Sequence, residues 1–554
     1  MKRTWFLLAL VLTGWPATAQ TPERNVVGRL IDRIVANERQ FLQQMRQSRP
    51  LFETYLQEVE EAHPNAPPVN DHYLLGRLDW SKGVIPMEIA SSAAFQKRGG
   101  LPLFRRSGSA LTFSAAGFAQ MAVPDAEEFN RETYEFEFVR REFLGELRCL
   151  VLDVAPKDKK AAGRFLGRIW VEDRDYHLVR FNGTYTLSKA AAIFFHFDSW
   201  RVNVAPGVFV PAFIYVEDLP PAGPGGRRVR LKGQTRLWGY NAVRPNKSQE
   251  LTDILIEAEN PVSDRSKTED ASPVEGQRSW LRQAEENIVQ RLEKSGLLAP
   301  AGEVDRVLNT VVNNLLATSN LDLEVQCRLL LTTPLESFAV GHTIVVSRGL
   351  VDVLPDEASL AMVLASELAH ITLDHRTDTR FAFSDQTMFE EQQILQRLRF
   401  NRPPPEITAA SQEAVKMLAR SPYKDKLANA GLFLKALGSR APGLPNLIQA
   451  NLSHQMMSGN ELLHLTELAA AAPELDENKV AQIAALPLGS RVKLDPWTNQ
   501  TTLLKTKPVA LLSAREKMPF EIAPPAPYLV RVASPKTAAT QATQNTAAPP
   551  SLER

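Results

Sequence analysis

The chain has 554 residues, of which 44% are apolar, so it exceeds one ordinary domain and has material for more than one core. Its 64 basic and 63 acidic residues nearly cancel and form no long block of one sign. That balance excludes a nucleic-acid binder driven by a basic field.

The chain opens with Met1-Lys2-Arg3, an apolar run from Trp5 to Trp15, and Ala17-Thr18-Ala19. These are the parts of a secretory signal peptide over residues 1–19, cleaved after Ala19. The expected product is an exported protein, periplasmic or extracellular, because no later stretch is apolar for long enough to span a bilayer. Cys149 and Cys327 both sit in apolar strand-like runs and read as buried free thiols, although export permits a disulfide.

From Val26 to Met45 the apolar residues follow the 3.6-residue period of an amphipathic helix. From about Tyr73 to Asn241 the pattern becomes that of strands. Tyr134, Phe136 and Phe138 alternate with Glu135 and Glu137, and Leu150, Leu152 and Val154 alternate before Pro156. Runs 166–171, 177–187, 193–204, 207–216 and 227–240 follow, joined by short turns, as an antiparallel meander requires. In this order of strands the region resembles the lipoprotein-carrier (LolA-like) fold. That resemblance implies a curved sheet around a helix, with a concave face able to hold an acyl lipid; a filled scaffold is the alternative.

Residues 261–276 read as a polar linker, followed by helices over about 279–294 and 303–317. Segment 461–534 contains short strands suited to covering a neighbouring domain. Residues 535–554 are Ala, Thr, Gln and Pro with almost no large apolar side chain, and predict a disordered tail. The expected organisation is thus an antiparallel β domain over 20–260, a linker and helix over 261–300, and an α+β domain over 301–460.

The chemistry concentrates between Glu336 and His375. A strand-like Ser337-Phe338-Ala339 precedes a second strand over 344–350, the acidic pair Asp356-Glu357, and an apolar helix carrying Ser366-Glu367-Leu368-Ala369-His370. In a His-Glu-x-x-His helix, two imidazoles one turn apart bind zinc, and the glutamate between them acts as base toward metal-bound water. Here Glu367 and His370 stand in the base and second-ligand positions, but Ser366 holds the first, and a neutral hydroxyl is a poor zinc ligand. His375 cannot simply substitute, because five residues past His370 it points about 140° away around the helix. Glu367, His370 and Asp374 share one face and allow either an unconventional site or a hydrogen-bonded polar seam.

The segment from Leu308 to Leu437 resembles metallopeptidase family 48, the gluzincins that include the CAAX prenyl protease and HtpX. The resemblance implies an α+β fold, zinc, Glu367 as general base, His370 as a ligand, and Ser337, Phe338 and Ala339 as a substrate-binding edge strand. His375 matches an accessory histidine, and His454 lies near where the family places an oxyanion-stabilising histidine. The family's third ligand begins a Glu-x-x-Ala-Asp helix. Aligning Ala410-Ser411 with Ala-Asp puts Ile407 in the ligand position, with Glu406 one residue away and Glu413 further on. The expectation is a pseudopeptidase with weak or absent zinc that binds unfolded or extended envelope polypeptides by strand addition. The alternatives are an active zinc endopeptidase with an unusual ligand set and a lipid or lipoprotein carrier led by the N-terminal domain.

Overall fold

A computed structural model describes residues 22–60, 68–80, 83–87, 104–107, 110–113, 115–158, 160–186, 194–219, 229–240, 273–383, 395, 397–448, 457–458, 461–462, 464–475, 491–504 and 529–532. The expected signal peptide, most of the linker, His454 and the C-terminal tail lie outside the described residues.

Helix α1, Pro22–Met45, precedes strands β1 (Leu51–Glu60), β2 (Pro68–Asp79) and β3 (Gly83–Pro86). The small hairpin β4 (Phe104–Ser107) and β5 (Ala110–Phe113) and the short helix α2 (Ala115–Gln120) follow. The meander then runs through β6 (Tyr134–Leu144), β7 (Leu147–Pro156), β8 (Phe165–Glu172), β9 (Leu178–Tyr185), β10 (Phe194–Ala205), β11 (Val208–Leu219) and β12 (Val229–Trp238). These strands form a ten-stranded antiparallel sheet in the order β3-β2-β1-β12-β11-β10-β9-β8-β7-β6. The chain as a whole is α+β, with the curved antiparallel sheet first and a mainly helical unit after it.

One face of the sheet packs Phe52, Leu56, Phe165, Phe181, Phe197 and Ile214 against Ile31, Ile34, Phe41 and Met45 of α1. The face toward the helix is therefore filled with side chains. Gly167 and Gly183 sit opposite each other in β8 and β9. A Cβ on either would fall 2.6–2.7 Å from the partner's Cα, so the strands approach there more closely than side chains allow.

The opposite face of β1 does not meet solvent. Leu51, Tyr55, Leu75, Met87 and Trp238 join one continuous core with the C-terminal half. Polar anchors flank this junction. Glu53 accepts from the Thr333 N–H at 2.6 Å and from the Thr333 hydroxyl at 2.7 Å, with the Arg348 guanidinium 3.6 Å away. Asp71 accepts from the N–H groups of Asn446 and Leu447 at 2.9 and 2.8 Å. The Trp238 indole donates to the Gly296 carbonyl at 2.9 Å. Burial on both faces explains why β1 lacks the alternation that identifies strands in sequence.

The C-terminal half begins with helices α3 (Pro273–Lys294) and α4 (Glu303–Thr318). Strands β13 (Gln326–Leu330), β14 (Ser337–Val340) and β15 (Thr343–Ser347) form a small sheet in the order β13-β15-β14. Helices α5 (Arg348–Val353), α6 (Glu357–Thr372), α7 (Pro404–Arg420), α8 (Leu427–Arg440), α9 (Pro445–Ile448) and α10 (Thr466–Ala471) follow. A hairpin of 492–494 with 501–503 covers the junction of the two halves, where Tyr240 N–H bonds to the Pro496 carbonyl and Arg491 N–H to Asp352. Leu529 packs instead on the outer face of the large sheet, beside Trp170 and Trp200. Both cysteines are buried and free, and burial pushes each thiol up to about 12. Among the described residues no helix is long and apolar enough to cross a membrane.

Candidate functional site

Helix α6 starts at Asp356, whose carboxylate caps it by accepting from the Ser359 N–H at 2.9 Å. Ala361 to His370 are all buried, because α4, α7, α8 and the small sheet pack around the helix. Ser366, Glu367 and His370 therefore lie inside the domain, at 6%, 1% and 1% exposure.

Glu367 meets the small sheet. The Ser337 hydroxyl of β14 donates to Glu367 Oε1 at 2.7 Å. Burial pushes the carboxyl up to about 7, against the opposing pull of the Ser337 bond and the Arg402 charge. The group is thus poised to exchange a proton near neutral pH, as a general base requires.

The end of α6 changes the reading of His375. The helix stops at Thr372, and Asp374 adopts a left-handed conformation at φ 54°. Its N–H bonds to the Ile371 carbonyl at 3.1 Å, and the His375 N–H bonds back to the His370 carbonyl at 3.0 Å. This is the Schellman pattern, with aspartate in the place that glycine commonly takes. The reversal carries His375 back over His370, and their Nδ1 atoms lie 2.9 Å apart. The 140° projection fails because it assumes that the helix continues.

Helix α7 supplies a carboxylate, with a one-residue correction. Ile407 is buried at 4% exposure and offers no ligand atom, whereas Glu406 Oε2 lies 4.0 Å from His375 Nδ1. Reading Glu406-Ile407-Thr408-Ala409 as Glu-x-x-Ala gives the register that places the carboxylate at the site. Glu413 pairs with Lys416 at 3.0 Å, away from this group.

One donor atom from each of His370, His375 and Glu406 lies within 4.8 Å of the others. Zinc bonds of 2.0–2.1 Å set tetrahedral donors about 3.4 Å apart, so separations of 2.9 and 4.0 Å bracket the requirement. Two imidazoles and a carboxylate suit zinc, and Glu406 Oε2 is buried without a hydrogen bond. In donor type and spacing the residues fit the ion.

A fixed cation occupies the same ground. Arg402, 9% exposed, holds Nη1 4.0 Å from that Glu406 oxygen and is attracted by Glu367, Glu406 and Glu285. It also donates to the carbonyls of Arg376 at 2.5 Å and Ala339 at 3.3 Å. The Thr377 hydroxyl donates to the same Ala339 carbonyl at 3.2 Å. Neither Arg402 nor Thr377 is identified by sequence reasoning. The one signal near them is the run Arg402-Pro403-Pro404-Pro405, which marks the start of α7 but not what its arginine touches.

The structure thus brings Glu367 to Ser337, and His370 to His375 and Glu406. Strand β14 lies at the edge of its sheet, with Phe338, Ala339 and Val340 buried. None of the curated proteins matches the chain. Residues 302–397 match the model of Peptidase family M48, a stretch that contains β14, Glu367, His370 and His375 but stops short of Glu406. The match supports a zinc-metallopeptidase-type domain in the C-terminal half.

Proposed function

We propose that this chain is an exported metallopeptidase-type protein that binds extended polypeptide while having lost ordinary zinc-dependent proteolysis. The observation that carries this reading is the pair Ser366 and Arg402. A hydroxyl replaces the first imidazole of the zinc helix, and a buried guanidinium faces the carboxylate that would complete the ligand set. With Glu406 balanced by Arg402, a dication enters a site of little net negative charge, and it must compete with a cation already in place.

A hydrolysis assay on fluorescein-labelled casein, with and without added zinc, tests this reading. The parent and Glu367→Gln are expected to give equal, background rates. Zinc-dependent cleavage that disappears in Glu367→Gln would overturn it.

One observation favours a second reading, an active zinc endopeptidase in which His375 replaces the missing imidazole: the convergence of His370, His375 and Glu406. Bound zinc would polarise the scissile carbonyl and activate water. Glu367 would hold the proton removed from that water, and β14 would orient the substrate. Carriage of acyl lipid by the large sheet is the weaker reading, because the face toward α1 is filled by aromatic and aliphatic side chains.

A further inference from the structure

The backbone of β14 is engaged on both sides. In an antiparallel pair, residues alternate between positions that exchange backbone hydrogen bonds and positions that point away. Ser347 N–H bonds to the Glu336 carbonyl at 2.8 Å, and Glu336 is followed by Phe338 and Val340 at alternate positions facing Val345 and Thr343. Ala339 therefore directs its N–H and carbonyl away from β15, toward the free edge where an added strand would pair.

That edge carbonyl already has two donors, Thr377 Oγ1 at 3.2 Å and Arg402 Nη2 at 3.3 Å. Two residues before Arg402, Phe400 stacks on Phe338 of the same strand, with ring centroids 4.2 Å apart and planes within 2°. Phe400 is 3% exposed and Phe338 1%, so the stack is fully covered. Arg402 also grips the Arg376 carbonyl at 2.5 Å, tying the strap that precedes α7 to the turn that follows α6. Two parts of the chain that are separate in sequence thus meet over one strand edge.

We propose that Phe400 and Arg402 form an internal strap that occupies the polypeptide-pairing edge of β14, so that an extended chain gains this edge only when the strap leaves it. The inference rests on the polypeptide-binding reading above. It adds that the protein holds its own binding edge closed. The competitor is specific: an incoming strand offers a backbone N–H to Ala339 in place of the guanidinium and the hydroxyl, and a side chain to Phe338 in place of Phe400.

The test uses full-length protein and fluorescein-labelled casein as an unfolded polypeptide, with binding read by anisotropy. Arg402→Met keeps the side-chain length while removing the guanidinium's bond to Ala339 and its grip on the Arg376 carbonyl, and is expected to tighten casein binding about tenfold over the parent. Thr377→Val removes one donor and is expected to give a gain of about two- to threefold. Equal binding by the parent and both folded variants would overturn the strap. Should Arg402→Met fail to fold, Thr377→Val decides alone, and an unchanged affinity in it overturns the proposal. The pseudopeptidase reading fails separately, through zinc-dependent cleavage by the parent, and the comparison of affinities in the absence of zinc still judges the strap.

Discussion

The Ser337 hydroxyl donates to Glu367 Oε1 at 2.7 Å, fastening the edge strand of the small sheet to the buried carboxyl of α6. This contact places the Glu367 carboxyl and the edge strand β14 in one frame. The first consequence concerns pH.

Burial raises the Glu367 carboxyl from 4.5 to about 7. Between those values the unfolded chain has released a proton that the folded protein keeps. The stabilisation from this group is therefore full below about pH 4.5 and is lost as pH rises through about 7. Glu367→Gln removes that dependence. Its stability relative to the parent, from urea unfolding, should rise by about 2–3 kcal/mol between pH 5 and pH 8. A difference that does not change with pH contradicts the buried, protonated carboxyl.

Ser366→His restores an imidazole one helical turn from His370, on the same face. Zinc affinity by competition with a chelator should increase at least about tenfold. Adding Glu406→Gln to that variant should abolish the gain, because Glu406 supplies the carboxylate. Ile407→Glu should instead bury an unpaired charge and destabilise the fold by about 3 kcal/mol or more, with no gain in zinc affinity. A cooperative gain from Ile407→Glu would restore the alternative register of α7.

The guanidinium beside Glu406 makes a separate prediction for metal. Arg402→Met should bind cobalt(II), followed by its visible absorption, about tenfold more tightly than the parent, since Glu406 loses its internal counter-charge. The same cobalt affinity in both proteins would mean that Arg402 does not oppose a metal at this site.

The shared core at β1 couples the two halves. Removing Glu53 strips the Thr333 N–H and hydroxyl of their acceptor and leaves Arg348 without its carboxylate. Glu53→Ala should cost about 3–5 kcal/mol in urea unfolding. Fragment 20–260 should fail to fold as a soluble monomer, because Leu51, Tyr55, Leu75, Met87 and Trp238 lose their cover. A folded, monomeric fragment by circular dichroism and sedimentation contradicts the shared core.

These contacts also explain what the sequence could convey. Strand β10 alternates because Phe195 and Phe197 pack on the core beside α1 while His196 and Asp198 between them are only partly buried, so periodicity finds it. Strand β1 is buried on both faces and carries Glu53, Thr54 and Gln57 inside, so it has neither alternation nor a uniform apolar run. Glu367 and His370 are legible because their spacing follows from helix geometry. The partnership of His370 with His375 is not, since it depends on one aspartate taking a left-handed conformation. Glu406 lies beside His375, one residue from the Ile407 position that the family resemblance implies, because no contact visible in the sequence anchors the register of α7. Arg402, Phe400 and Thr377 acquire their roles only through contacts across the fold, and no local pattern announces them.

Metal analysis of the purified full-length protein tests the central claim most directly. After exhaustive dialysis against a metal-free buffer, plasma mass spectrometry should find zinc far below one ion per chain, because Ser366 offers no strong ligand and Arg402 balances Glu406. One zinc per chain, lost on replacing His375 by alanine, would contradict the account and establish the rebuilt ligand set as a working metal site.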